Sequence, residues 1–158
     1  MQIQLRGMKE SDRPFVTSTW FKSHWKAVRK GVVDFENFAK IQRVAMDVLI
    51  AEVPTIIAFT PSAPDEILGY INATATTLNY LYVKKDFRRL GIGTKLLAGQ
   101  KFRTHTSLGN GDWKHFHKAR IPECEFNALA IPTLLARLAD SFYATGVDDR
   151  RHETKLIF

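Results

Sequence analysis

Ile3 and Leu5 alternate with Gln2, Gln4 and Arg6, which predicts a short, half-buried strand over residues 2–7. Ser11, Asp12, Arg13 and Pro14 then read as a helix start, with cap-type residues beside a first-turn proline. In that helix Phe15, Thr19 and Lys22 mark one side, and Val16, Trp20, Phe21 and Trp25 an aromatic side, until Gly31 breaks the pattern. Residues 34–52 carry the clearest amphipathic period: Phe35, Phe38, Ile41, Val44, Ala45, Val48 and Leu49 recur at three- and four-residue spacing. Pro54 ends that helix. The period then falls to two. Residues 55–60 are a β-branched run, 61–66 a turn rich in proline, and 67–76 and 78–84 two further strands. These three strands form an expected antiparallel meander.

After Asp86 the spacing lengthens again. Ile92, Leu96 and Leu97 share one helical face, which predicts a helix from Gly91 to about Thr104 that opens directly behind a strand. Residues 106–111 read as a loop. Leu134, Leu135, Leu138 and Phe142 give helical spacing within 129–143, and residues 155–158 read as a last strand. No repeat and no linker interrupts the chain, so residues 1–158 are expected to form one domain.

Composition narrows the class. With 158 residues, 45% apolar and 25% charged, the chain has globular composition and enough length for one core. No apolar run approaches the roughly 20 residues of a spanning helix, and no secretory signal is visible, so the expectation is no membrane and a cytoplasmic protein. The single cysteine, Cys124, excludes an intrachain disulfide and reads as a small buried hydrophobe. The net charge is +7, and it is concentrated. Residues 84–120 hold ten Lys/Arg against Asp86 and Asp112, a local net of +8 that implies an anionic partner or a solvated basic face.

The charge maximum coincides with Arg88-x-x-Gly91-x-Gly93, between a strand and a helix. A helix start offers unpaired backbone N–H groups and the positive end of the dipole. Glycines let a phosphate approach that backbone without a Cβ in the way. Thr94 adds a hydroxyl, and Arg88 and Arg89 add guanidinium forks. The combination reads as a pyrophosphate cradle. A dinucleotide fingerprint would need a third glycine and a parallel setting, and a P-loop would need Gly-Lys-Ser/Thr; neither is present.

Leu81-Tyr82-Val83, then Arg88-Arg89-Leu90-Gly91-Ile92-Gly93, then Leu96-Leu97, resembles motif A of the GNAT superfamily, the GCN5-related N-acetyltransferases. The order of elements over about residues 2–105 fits as well. Residues 18–23, Gly69-Tyr70-Ile71 and Tyr82-Val83-Lys84 narrow the likeness to small GNAT-like proteins of tailed bacteriophages. The resemblance implies an α/β (α+β) fold: a mixed, mostly antiparallel sheet flanked by helices, with a splayed strand pair that binds acyl-CoA. It implies acetyl-CoA, or another acyl-CoA, as co-substrate. Backbone near Leu81, Tyr82 and Val83 would pair with the pantetheine arm, and the amides of residues 88–94, including Leu90, Ile92 and Thr94, would hold the pyrophosphate. An amine on a protein or small molecule would then attack the thioester directly. Many members carry a tyrosine as general acid on a late helix, and the residues around Tyr143 resemble that ending with one residue missing before Gly146. A base carboxylate often stands on the motif strand; here that strand carries Asn79 and Tyr80. Trp20, His24 and Trp25 fall where the fold lines its acceptor site, with core packing as the plainer reading. His105, His115 and His117 lack companion carboxylates or cysteines at metal-ligand spacing, so they read as surface or phosphate-adjacent side chains and no metal is expected. The rival function is a non-catalytic phage protein that binds a host protein or nucleic acid through the basic 84–120 segment.

Overall fold

The computed structural model describes residues 1–27, 34–106 and 124–126. The chain begins with strand β1 (Gln4–Gly7), a 3-10 turn (Glu10–Asp12) and helix α1 (Arg13–Ala27). Helix α2 (Phe35–Glu52) and strands β2 (Thr55–Phe59), β3 (Gly69–Ala73) and β4 (Thr77–Val83) follow. Then come a 3-10 turn (Lys85–Phe87), helix α3 (Ile92–Leu97) and the two-residue strands β5 (Thr104–His105) and β6 (Glu125–Phe126). The six strands form one sheet in sequence order. β1 to β4 pair antiparallel, and β4–β5 and β5–β6 pair parallel. The expected meander and mixed sheet are therefore observed. The readings for 107–123 and 127–158, with Tyr143, His115 and His117 among them, lie outside the described residues.

Alternation along the strands separates two cores. Ile57, Tyr70 and Tyr80 face α1 and α2, where Val16, Trp20, Met46, Leu49, Ile50 and Val53 close over them. Ala58, Ile71 and Leu78 face the other way, where Ile92 and Leu96 of α3 pack with Phe102 and Cys124. α2 forms as its period demands. The Asp34 carboxylate accepts from the Glu36 and Asn37 amides at its start, and Val53 caps its end ahead of Pro54. Cys124 is 3% exposed, and burial pushes its thiol up from the ordinary value, as a core residue should.

Both sides of α1 are packed: Phe15 meets Tyr82 edge-on at 6.0 Å, and the Thr19 hydroxyl sits 2.9 Å from that of Tyr70, while Phe21 and Trp25 pack on Phe35 and Phe38 of α2. Two expectations need correction. α3 stops at Leu97 instead of running to about Thr104, because Ala98 leaves the helix and Gly99 takes a left-handed φ of +77°. His105 is buried at 7% exposure in β5 rather than lying at the surface, since its strand pairs parallel with β4 opposite Leu78.

Candidate functional site

β4 leaves its neighbour early. β5 pairs with it at Thr77 and Leu78, and the Thr106 N–H reaches the Leu78 carbonyl at 3.1 Å. Beyond that point β4 continues to Val83 against β3 alone among the described residues. The Lys84 N–H donates to the Leu68 carbonyl, so the hydrogen-bonded pairs with β3 are those of Tyr82 with Tyr70 and Tyr80 with Asn72. Leu81 and Val83, at the alternate positions, turn their backbone groups toward the side where β5 has departed. The sheet thus opens beside Leu81 and the Val83 N–H, main-chain groups that can meet an extended ligand, while the Val83 carbonyl is engaged by Arg88.

The chain then turns through Lys85–Phe87 into the glycine motif. The Arg88 side chain braces this turn, its Nε donating to the Val83 carbonyl at 3.2 Å. Arg89 adopts φ +65°, the only left-handed non-glycine among the described residues, and Gly91 follows at φ +82°. Gly91 is the N-cap of α3 and supplies no side chain to its amides. The first intrahelical bond runs from the Lys95 N–H to the Gly91 carbonyl, leaving the amides of Ile92, Gly93 and Thr94 outside the helix's own ladder. A Cβ at Gly91 would meet nothing within 4 Å, so the ground in front of the turn is open. Arg88, Arg89, Leu90 and Thr94 are exposed around it. Lys95 is turned away, its ammonium bonded to the Ile3 carbonyl just ahead of β1. The donor set of backbone amides, a hydroxyl and guanidinium groups fits a diphosphate.

What seats this turn is a residue the motif does not contain. Ile92 is 1% exposed and lies over Gly69 of β3. A Cβ at Gly69 would stand 2.6 Å from the Tyr82 carbonyl oxygen and 3.2 Å from Ile92 Cγ2. Gly69 is therefore the close-approach position that lets α3 settle on the sheet. A glycine inside a strand pattern was the signal for it.

The opposite face of the opening is aromatic. Trp20 is fully buried and stacks on Tyr80 at 4.8 Å, and its indole N–H donates to His24 Nε2 at 3.1 Å. His24 meets the Tyr80 ring edge-on at 5.6 Å, and burial lowers its pKa against a hydrogen bond with Gln42. Trp25 is half-buried against Phe35 and Phe38. The structure therefore brings Trp20 and His24 together beside Tyr80 and puts Trp25 on the α2 side. Burial pushes Tyr80 up to about 12, against a hydrogen bond with Ser23, and pushes Tyr70 up as well. Among the described residues there is no cluster of three or more His, Cys, Asp or Glu that could hold a metal, and no helix long and apolar enough to cross a membrane.

No family model and no curated protein matches the sequence. Solved structures are similar in three dimensions. A candidate acetyl transferase from Pyrococcus furiosus has a TM-score of 0.51 at 15% identity, over 99% of this chain and 100% of its own. Apo YjaB from Escherichia coli has a TM-score of 0.46 at 17% identity, covering 91% of this chain and 80% of that one. PaiA N-acetyltransferase from Thermoplasma acidophilum, in complex with coenzyme A, has a TM-score of 0.44 at 17% identity, covering 92% and 88%. The likeness to the Pyrococcus structure extends over both chains and carries one conclusion: the two chains share one fold, a mixed, mostly antiparallel sheet flanked by helices.

Proposed function

We propose that the chain is an N-acyltransferase of GNAT type that passes an acetyl or other acyl group from acetyl-CoA to an amine. The observation that carries this reading is the joining, by one short turn, of an open strand edge at Leu81 and Val83 to an open glycine turn at Gly91. The Pyrococcus protein of the same fold is a candidate acetyl transferase. The diphosphate is held by the amides of Ile92, Gly93 and Thr94, with Arg88 and Arg89 beside them. The pantetheine arm lies along Leu81, Tyr82 and Val83 as an added strand.

Acetyl-CoA supplies an acyl group already activated as a thioester. The chain's own residues position it for the amine, so that one N–C bond forms as the C–S bond breaks. The departing thiolate gains a proton and the amine loses one. Tyr143 is the proposed donor of the first. For the second, β4 offers Asn79 and Tyr80, and a Tyr80 hydroxyl titrating near 12 keeps its proton at neutral pH. The amine proton therefore leaves through water. The acceptor, on a protein or a small molecule, approaches the aromatic face, where His24 and Trp25 are half-buried and Trp20 supports Tyr80 from behind.

Denaturation with and without acetyl-CoA tests the reading. At a hundredfold excess over Kd the folded state gains about 2.7 kcal/mol. Release of coenzyme thiol on adding amines then reports transfer. Absence of any stabilisation at millimolar acetyl-CoA overturns the proposal. The exposed Lys85, Arg88, Arg89, Lys101 and Arg103 favour one rival, nucleic-acid binding. That rival predicts a salt-dependent affinity for oligonucleotides which acetyl-CoA does not compete away.

A further inference from the structure

Residues four apart on a helix lie one above the other, so Trp20 and His24 are neighbours along α1. An indole N–H can only donate, and that of Trp20 ends on His24 Nε2 at 3.1 Å. Nε2 therefore presents a lone pair and the ring proton sits on Nδ1, a tautomer assigned by this hydrogen bond. A hydrogen bond with Gln42 ties the same ring to α2. Trp20 in turn lies flat on Tyr80 of β4, with 4.8 Å between ring centroids and 11° between planes, and the His24 ring meets Tyr80 edge-on at 5.6 Å. His24 thus joins α1, α2 and β4 at the aromatic face.

A proton added to Nε2 would set two N–H donors against each other. Trp20 is 0% exposed, so its N–H would be left buried without its acceptor. Either the imidazolium or the indole must then move, and the stack on Tyr80 moves with it. The groups that face His24 give a positive charge no support. From β4 the titratable side chain is Tyr80, whose hydroxyl bonds with Ser23, keeps its proton at neutral pH and feels the Arg88 cation. From α2 it is the neutral amide of Gln42. On α1 itself Lys22 and Lys26 are exposed and share the sign of an imidazolium. No carboxylate among the described residues acts on the ring, and burial holds its pKa below the ordinary value.

We infer that His24 is a positioning residue for acyl transfer: in its neutral form it fixes Trp20, and through Trp20 the place of Tyr80, where the amine approaches. The functional meaning rests on the acyl-CoA reading; the lock itself is a property of the unliganded chain. Protonation releases the lock. The acceptor side then loosens in acid, while the Gly91 turn, seated through Ile92 in the other core, is untouched.

The Trp20 indole N–H resonance, assigned by its loss in Trp20→Phe, reads the lock by NMR with no ligand present, alongside the His24 imidazole signals. In the parent protein it is expected to shift or broaden as His24 titrates, below the ordinary histidine value of about 6.5. In His24→Gln the amide oxygen replaces Nε2 as acceptor and does not titrate, so the resonance should hold its position over the same range. In Trp20→Phe the competing donor is gone, so His24 should titrate at higher pH than in the parent. Transfer to an amine, each protein scaled to its own rate at pH 8, is the second readout. Below the measured His24 pKa the parent should lose about tenfold per pH unit relative to His24→Gln, with calorimetric affinity for acetyl-CoA following pH equally in both. A parent resonance that keeps its position while His24 titrates, or down to acid unfolding, overturns the lock. Scaled pH profiles that coincide overturn its role in transfer. A chain that ignores acetyl-CoA overturns the function and leaves the NMR test standing. Should His24→Gln fail to fold, the Trp20→Phe titration decides, and a His24 pKa that does not rise there overturns the lock.

Discussion

Replacing Gly69 with alanine adds one methyl group at the point where three elements meet. The new Cβ lies 2.6 Å from the Tyr82 carbonyl oxygen, 3.3 Å from Val83 Cα and 3.2 Å from Ile92 Cγ2. The first two are backbone atoms of the paired strand and cannot rotate aside. Relief to ordinary van der Waals contact requires roughly 0.8 Å of movement, either by widening β3 from β4 or by lifting α3. Overpacking of this kind costs about 1–3 kcal/mol. The loss of glycine's freedom in the unfolded chain offsets about 0.4–1 kcal/mol. The net expectation is a destabilisation of about 1–2 kcal/mol.

The location of the strain matters more than its size. Tyr82, Val83 and Ile92 are the parts that the acyl-CoA reading uses, so affinity for acetyl-CoA should fall together with stability. Urea denaturation gives the first number and calorimetric titration of the coenzyme the second. A Gly69→Ala protein within 0.5 kcal/mol of the parent, binding acetyl-CoA equally well, would refute both the close approach and its role in seating the turn. Destabilisation with unchanged affinity would retain the packing argument and refute the link to the site.

Gly91→Val places a β-branched residue at φ +82°, with a direct conformational cost of about 1–2 kcal/mol. It also puts a side chain into the open ground of the turn, so acetyl-CoA binding should be abolished while the fold survives; unchanged calorimetric affinity would dismiss the cradle. Tyr143→Phe should lower turnover at constant coenzyme affinity, and unaltered turnover in a thiol-release assay removes Tyr143 from the mechanism. Tyr80 ionises near 12 in the folded chain against about 10 unfolded, so unfolding releases its proton more readily and stability should fall between those values, by about 2–3 kcal/mol at most. Denaturation at stepped alkaline pH checks this, and Tyr80→Phe should flatten that part of the curve. Arg6 forms a two-point ion pair with Asp12, holding a 5%-exposed carboxylate below the ordinary value. That stabilisation is present above the unfolded carboxylate pKa and is lost as pH falls through the lower folded one. Asp12→Asn should therefore reduce the acid slope of stability, and an unchanged slope would show that the pair contributes nothing.

Helix α2 and the meander were legible because their period is strong and their ends are marked by Asp34, Pro54 and the turn at 61–66. The glycine turn was legible because its residue types carry their own chemistry. The end of α3 was signalled by Gly99, but a period carried through Leu96 and Leu97 outweighed it. β5 and β6 are two residues each, too short for any period; pairing alone defines them. β4 bulges at Asn79, since Tyr80 is opposite Asn72 but Leu78 is opposite Ala73; the bulge left no trace because residues 78–83 are apolar or aromatic apart from Asn79, so the sequence holds no polar alternation to reveal a change of parity. A glycine inside a strand pattern marks Gly69 as a close-approach position, but that the approaching side chain is Ile92 is a contact between distant segments, which no local pattern encodes. The burial of Trp20 follows from its stack on Tyr80, and the side that Tyr80 faces depends in turn on that hidden bulge.

The two faces of the sheet divide stability from binding. On one side an eighteen-residue α2 and a fifteen-residue α1 close over a core with Trp20, Tyr70 and Tyr80 at its centre. On the other, the six-residue α3 reaches the sheet with two fully buried side chains, Ile92 and Leu96. Each such side chain contributes about 1.5–3 kcal/mol by burial. The turn that would hold the diphosphate is thus anchored by a few kcal/mol, while the edge that would hold the pantetheine arm is built into the strand registered by the larger core. A segment so lightly held opens locally at a cost well below that of global unfolding. A ligand bridging the turn and the edge joins the weakly held part to the strongly held one. Its binding should therefore protect the α3 amides more than any others, a selectivity that a purely electrostatic partner of the basic surface has no reason to produce.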